Sequence, residues 1–219
     1  MIIPARYNGP PRTGNGGWCS GLFSSTVDGP AATVTLRRPP PLETELTVVR
    51  KDGRTDILNG QHVVAQAVPA EPPGGLVEPV PLAEAVAASP SYPGFTDHPF
   101  PTCYVCGPDR AEGDGLRIFP GVLPDGRTAA PWRVPADVDE RTMWAALDCP
   151  GGWAVLGPGR PYVLGRMTAH VERAAAPGTD CVVMGQVLAR EGRKATVRSA
   201  VYAADGAPLA RSEATWIAI

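Results

Sequence analysis

A lone carboxylate, a pair of glycines behind an asparagine, two adjacent cations and three tryptophans are the residues here whose types and spacing could do chemistry. Asp148 follows Trp144 by four residues and adjoins Leu147, at the edge of an apolar stripe where a carboxylate could face a pocket and stay wet. Such a group can act as a general base or a nucleophile. The same residue beside Pro150 could also simply close a helix and face solvent. Asn15-Gly16-Gly17 precedes an apolar segment that reads as a helix, whose first N–H groups lack partners and whose dipole favours negative charge. That corner could hold an oxyanion, since glycine lets a carbonyl approach the backbone, and Asn15 could orient a substrate or a water. It could equally be a plain turn after Gly9-Pro10-Pro11. Arg193 and Lys194 open a strand after a turn; two neighbouring cations suit an anionic group such as phosphate, or a solvated hairpin end. Trp18, Trp144 and Trp153 could line an apolar tunnel, although large aromatics near a helix also serve as core.

His98, Cys103 and Cys106 could supply three zinc ligands, and the Cys-x-x-Cys spacing could be redox-active. A structural zinc uses four protein ligands, and no second cysteine pair lies close in sequence, so neither a metal nor a cofactor is assigned. Cys149 and Cys181 read as small buried hydrophobes. Ser24-Ser25 lacks the context of a nucleophile elbow, which leaves a serine hydrolase without support.

The elements that must position these groups follow from periodicity and turn signals. Residues 181–190 and 194–203 flank Glu191-Gly192, and residues 208–219 follow Asp205-Gly206, as in an antiparallel meander. A preceding strand over 163–173 alternates Met167, Ala169 and Val171 with Arg166, Thr168, His170 and Glu172, which predicts one apolar and one polar face. The face should be filled by a helix over 138–149, with Met143, Trp144, Ala146 and Leu147 on one stripe. Asp137 and Glu140 suggest its capping box and Pro150 its stop. A shorter version of the plan precedes it: a helix after Gly16-Gly17, then strands near 32–38, 45–50, 54–58 and 61–68. Gly16-Gly17-Trp18 recurs as Gly151-Gly152-Trp153, Asp52-Gly53-Arg54 as Glu191-Gly192-Arg193, and Asn59-Gly60 as Asp205-Gly206, always in the same order. Arg37-Arg38 ahead of Pro39 corresponds loosely to Glu172-Arg173. The recurrence predicts a duplication: a shortened N-terminal half (1–68), a linker with nine prolines (69–101) and a C-terminal half (102–219).

With 219 residues, 43% hydrophobic and 19% charged, the chain is long enough and apolar enough for a buried core. A net charge of −2 gives no electrostatic reason to expect nucleic acid or an anionic membrane as partner. No segment has the length and apolarity of a membrane span or the pattern of a leader, and five cysteines are odd in number and sparse. A cytoplasmic protein with reduced thiols is therefore expected.

A helix enclosed by an antiparallel sheet, twice in one chain, resembles the double-hotdog acyl-CoA thioesterase II branch of the thioesterase superfamily. Asn15-Gly16-Gly17 is similar to the glycine pair opening the hotdog helix, and Trp144-Ala145-Ala146-Leu147-Asp148 to the helix that carries the family's catalytic Asp. Residues 164–173, and Tyr202-Ala203-Ala204-Asp205-Gly206 through Ile219, resemble second-half strands. Cys103-Tyr104-Val105-Cys106-Gly107-Pro108 with Gly115-Leu116 resembles the segment that small hotdog thioesterases place before their first strand. The resemblance implies an α+β double hotdog, two antiparallel sheets each wrapping a central helix. It implies hydrolysis of acyl-CoA or another acyl thioester by Asp-assisted water attack. The site would combine Asn15, Gly16 and Gly17 of one half with Asp148 of the other, with Gly151 and Gly152 as the duplicate pair. Arg193 and Lys194 would meet the coenzyme A phosphates, and Trp18, Trp144 and Trp153 the acyl chain. The family joins its Asp to a hydroxyl residue and a Gln; alignment puts Leu164 and Ala214 there, with Thr168, Glu213 or Thr215 as substitutes under a shifted register. Hotdog hydratases need a His near their Asp, and His62, His98 and His170 all lie far from Asp148 in sequence. An acyl-binding double hotdog without turnover is the alternative, and either a monomer or a homo-oligomer of double-hotdog chains fits.

Overall fold

The computed structural model describes residues 1–156 and 161–219. In the N-terminal half, helix α1 (Gly16–Ser24) is followed by strands β1 (Ala31–Leu36), β2 (Thr47–Lys51), β3 (Arg54–Asn59) and β4 (His62–Ala70). After a segment containing helix α2 (Leu82–Ala88), the C-terminal half supplies β5 (Gly121–Val122), β6 (Thr128–Arg133), α3 (Glu140–Ala146) and α4 (Cys149–Trp153). Four long strands complete it: β7 (Tyr162–Val171), β8 (Asp180–Glu191), β9 (Lys194–Ala203) and β10 (Pro208–Ala218). The N-terminal strands are the shorter set.

The two sheets expected from the sequence are halves of one continuous ten-stranded sheet, ordered β2-β3-β4-β1-β7-β10-β9-β8-β6-β5. They join because β1 and β7, the first long strand of each half, pair antiparallel with Ala32 opposite Ala169 and Thr35 opposite Arg166. Pairing removes two open edges that would otherwise expose unsatisfied N–H and C=O groups. Thr33 and Thr168 share a hydroxyl hydrogen bond of 2.7 Å across the seam. Met167 and Ala169 are buried and Arg166 is exposed, as alternation requires.

The expected second-half helix is broken into α3 and α4. Its N-cap is Asp139, whose side chain accepts from Thr142 N, rather than Asp137. Pro150 does not end the segment but stands in the first turn of α4. Lacking an N–H, it interrupts the α3 hydrogen-bond ladder, and its fixed φ suits the start of the next helix. Leu147 and Asp148 lie at the break. Helix α1 packs directly on α3 because glycine lets it: a Cβ on Gly17 would fall 2.7 Å from Trp144 O, and one on Gly21 would fall 2.8 Å from the Arg141 Cα.

Met143 of α3 is fully buried in this core. Met143→Ala should therefore cost about 2–5 kcal/mol, the range for emptying such a site, read as a lower denaturation midpoint at unchanged m-value.

The proline-rich segment is packed, not free. Val77, Val80 and Ala85 form a second apolar cluster with Met184, Ala200 and Tyr202 on the opposite face of the sheet, and the Tyr202 hydroxyl donates to Val77 O. Tyr92 inserts edge-on against Trp153, 4.6 Å between centroids, and donates to Cys106 O. Among the described residues no helix is long and apolar enough to cross a membrane.

Candidate functional site

The α3–α4 break delivers Asp148 to the first turn of α1, from the other half of the chain. Asp148 is 3% exposed. Its Oδ2 accepts from Gly17 N at 2.9 Å and from Asn15 Nδ2 at 3.0 Å, whereas its buried Oδ1 has no hydrogen-bond partner among the described residues. Asn15 is the N-cap of α1: its Oδ1 accepts from Trp18 N at 2.8 Å, and its backbone N–H donates to Tyr7 O. With both ends of its side chain engaged, Asn15 holds one orientation. Burial pushes the Asp148 carboxyl up to about 7; the Gly17 N–H and the Asn15 amide pull against that shift, and nearby Cys103 adds to it.

Asp148, Asn15 and Gly16 line a cavity of about 420 Å³, within the range of small-molecule sites. Much of its wall is apolar, including Leu156, Tyr162, Leu164 and Trp216, and Trp153, His98, Cys103, Cys106 and Cys149 also line it. Gly16 begins α1, so its N–H has no acceptor within that helix. A side chain there would strike Leu164, 2.8 Å from its Cβ.

A second groove of about 330 Å³ shares Leu36, Arg37, Gly165 and Ile217 with the cavity and lies next to it. Arg37, Arg166 and Lys194 lie along this groove.

Among the residues singled out in the sequence, Asp148, Asn15, Gly16 and Trp153 meet at the cavity and Gly17 stands directly behind it. Trp18 instead stacks on Tyr7, centroids 3.9 Å apart, and Trp144 is buried between the helices. Gly151 and Gly152 are where α4 approaches the sheet: their Cβ atoms would fall 2.7 Å from Val197 and 2.5 Å from the Trp216 ring. Arg193 donates Nε and Nη2 to Ala218 O, which spends its fork on the end of β10. Lys194 is separate from it, on the groove. Leu164 is in the cavity wall and Ala214 is buried in β10, so neither brings a polar group to Asp148. The substitutes lie elsewhere: Thr168 at the strand seam, Glu213 paired with Arg198 at 3.3 Å, and Thr215 on the groove.

Sequence reasoning missed Arg37 and Arg166 as groove cations and Cys149 as a neighbour of Cys103 and Cys106. The doublet Arg37-Arg38 was a visible signal for the first; a contact between residues 46 positions apart, Cys103 and Cys149, carried none.

No protein-family model matches this sequence, and no curated protein matches it either. Solved structures do resemble the fold. A candidate thioesterase of Novosphingobium aromaticivorans superposes with a TM-score of 0.63 at 16% identity, covering 99% of this chain and 92% of that one. The TesB protein of Mycobacterium avium subspecies paratuberculosis gives 0.60 at 14% identity, covering 100% and 91%. A hot-dog-fold protein of unknown function from Alicyclobacillus acidocaldarius gives 0.59 at 14%, covering 99% and 91%. The chain thus has the double-hotdog fold of thioesterase II-like proteins over its full length; fold by itself does not carry an activity.

Proposed function

We propose that this chain hydrolyses an acyl thioester, with acyl-CoA as the substrate class and Asp148 as the base that activates water. The observation that carries the reading is the buried Asp148 carboxylate beside a cavity with much apolar wall, held through Oδ2 by Gly17 and Asn15 while Oδ1 has no partner among the described residues. In this reading a water in the cavity attacks the thioester carbonyl carbon as Asp148 takes its proton. Negative charge develops on the carbonyl oxygen, towards which the Gly16 N–H is the available donor at the helix start. Collapse of the tetrahedral intermediate breaks the C–S bond; the leaving thiolate takes the proton back from Asp148, and the acid is released. The acyl chain would lie against Leu156, Leu164 and Trp153.

Thiol release from a panel of acyl-CoA esters, short to long and aromatic, tests the reading on wild type beside Asp148→Asn. Turnover by wild type that the variant lacks supports it. Absence of turnover on every ester, in a folded protein, favours the second reading, an acyl-binding protein, for which the buried Leu164 and Ala214 are the specific motive.

The groove adds a prediction about the coenzyme. Arg37, Arg166 and Lys194 would face its phosphates, in place of the Arg193–Lys194 pair. One charge-assisted contact is worth about 1.5–3 kcal/mol, so Arg37→Ala combined with Lys194→Ala should raise KM for acyl-CoA by about tenfold or more. kcat should hold, because uniform binding is what is lost. An N-acetylcysteamine thioester, which lacks the phosphates, should be hydrolysed equally well by both proteins; equal losses on both substrates would exclude the phosphate role.

A further inference from the structure

The three thiols that line the cavity come from two distant places in the chain. Cys103 and Cys106 lie in the turn that follows the proline-rich segment, and Cys149 opens α4. All three are buried and unbridged. Their sulfurs lie within 4.8 Å of one another, and among the described residues no further His, Cys, Asp or Glu belongs to the group.

The surroundings of the sulfurs are the second observation. Asn15 Nδ2 donates to Cys103 Sγ at 3.7 Å. His98 Nε2 lies 3.4 Å from Cys106 Sγ. A cysteine that merely fills core space needs no such polar side chains around it. Thiolate sulfurs do, because hydrogen bonds to ligand sulfur disperse its charge and fix its orientation. Three thiolates packed together without a cation would repel one another strongly.

We propose that Cys103, Cys106 and Cys149 bind one soft divalent metal ion of the zinc type through three thiolates, with the fourth position supplied from the cavity. Thiolate ligands select zinc and other soft ions over magnesium or calcium. Tetrahedral zinc with Zn–S bonds of about 2.3 Å sets sulfurs about 3.8 Å apart, a spacing that small side-chain rotations reach from the present one. All three cysteines line the cavity, so an exchangeable ligand there would be a water or a polar group of the occupant. His98 is not the missing ligand. Its Nδ1 accepts from Phe100 N at 2.9 Å, which leaves the proton of the neutral ring on Nε2, directed at Cys106 Sγ. It is therefore a donor to a ligand sulfur. The proposal does not depend on the hydrolase reading, since an acyl-binding protein could hold the same ion.

Cobalt is the probe. The full-length protein, reduced and stripped with a chelator under anaerobic conditions, is titrated with Co²⁺ and then with Zn²⁺. We expect near-ultraviolet sulfur-to-cobalt absorption that saturates at one ion per chain and is displaced by zinc. Cys106→Ser and Cys149→Ser should each weaken cobalt binding by more than about 100-fold, and His98→Gln by about 10–100-fold, the usual cost of losing an outer donor. Cys181→Ser, outside the three-sulfur group, should change nothing. If a cysteine variant fails to fold, the wild type still decides: bound zinc should raise its Tm in a concentration-dependent way. No charge-transfer band with all five thiols reduced, a band that survives in Cys149→Ser, or a Tm indifferent to zinc would each overturn the proposal.

Discussion

Asp148→Asn is expected to lower kcat/KM for acyl-CoA by about 10²–10⁴-fold, the usual contribution of a positioned general base, with the fold intact. The variant keeps an oxygen that can accept from Gly17 N and Asn15 Nδ2, the two bonds that hold the carboxylate now. Its amide nitrogen would take the place of Oδ1, which makes no hydrogen bond among the described residues, so stability should change by only about 1 kcal/mol. What the amide cannot do is take a proton from water. Far-ultraviolet circular dichroism and a denaturation curve would verify the fold, and thiol release would report activity. A folded variant as active as wild type would remove Asp148 from the chemistry and with it the proposed mechanism.

Gly17→Ala should damage the same site by a steric route. Its Cβ would fall 2.5 Å from the Asp148 Cβ, 2.7 Å from Trp144 O and 3.1 Å from the Ala145 Cα. Two of these are backbone atoms of α3 that cannot rotate aside, so α1 must move away from α3. Overpacking of this kind costs about 1–3 kcal/mol, occasionally more. The same movement draws the Gly17 N–H from Asp148 Oδ2 and tilts the carboxylate, and a displacement of about 1 Å at a reacting group costs on the order of 10² in rate. Gly74→Ala is the matched control: nothing lies within 4 Å of its Cβ position and its φ is ordinary, so it should be neutral or slightly stabilising. Equal midpoints for the two variants in urea would contradict the close α1–α3 packing.

Much of the framework was readable from local pattern. The β7 alternation around Met167 and Ala169, the turns at Gly192 and Gly206 and the helix start at Asn15 all appear near their expected places. Each is a property of neighbouring residues, because side-chain periodicity and turn geometry are set within a few positions. The repeated Gly-Gly-Trp pointed to two halves, yet its second copy does different work. Gly16 and Gly17 meet the cavity and Asp148, while Gly151 and Gly152 let α4 rest on Val197 and Trp216.

The sequence by itself determined the α+β class, the two-fold plan, the long strands of each half and the candidacy of Asp148 with Asn15-Gly16-Gly17, but not β5, β6 or the break between α3 and α4. Only the tertiary structure decided how these groups are used. It joined the half-sheets through β1 and β7, spent Arg193 on Ala218 O, and set Lys194 in a groove with Arg37 and Arg166. It also brought Cys149 to Cys103 and Cys106. The physical reason is range: hydrophobic period and capping act between neighbours along the chain, whereas these contacts arise only when two halves bury their apolar faces against each other. Which polar groups then meet depends on a packing geometry that no local pattern records.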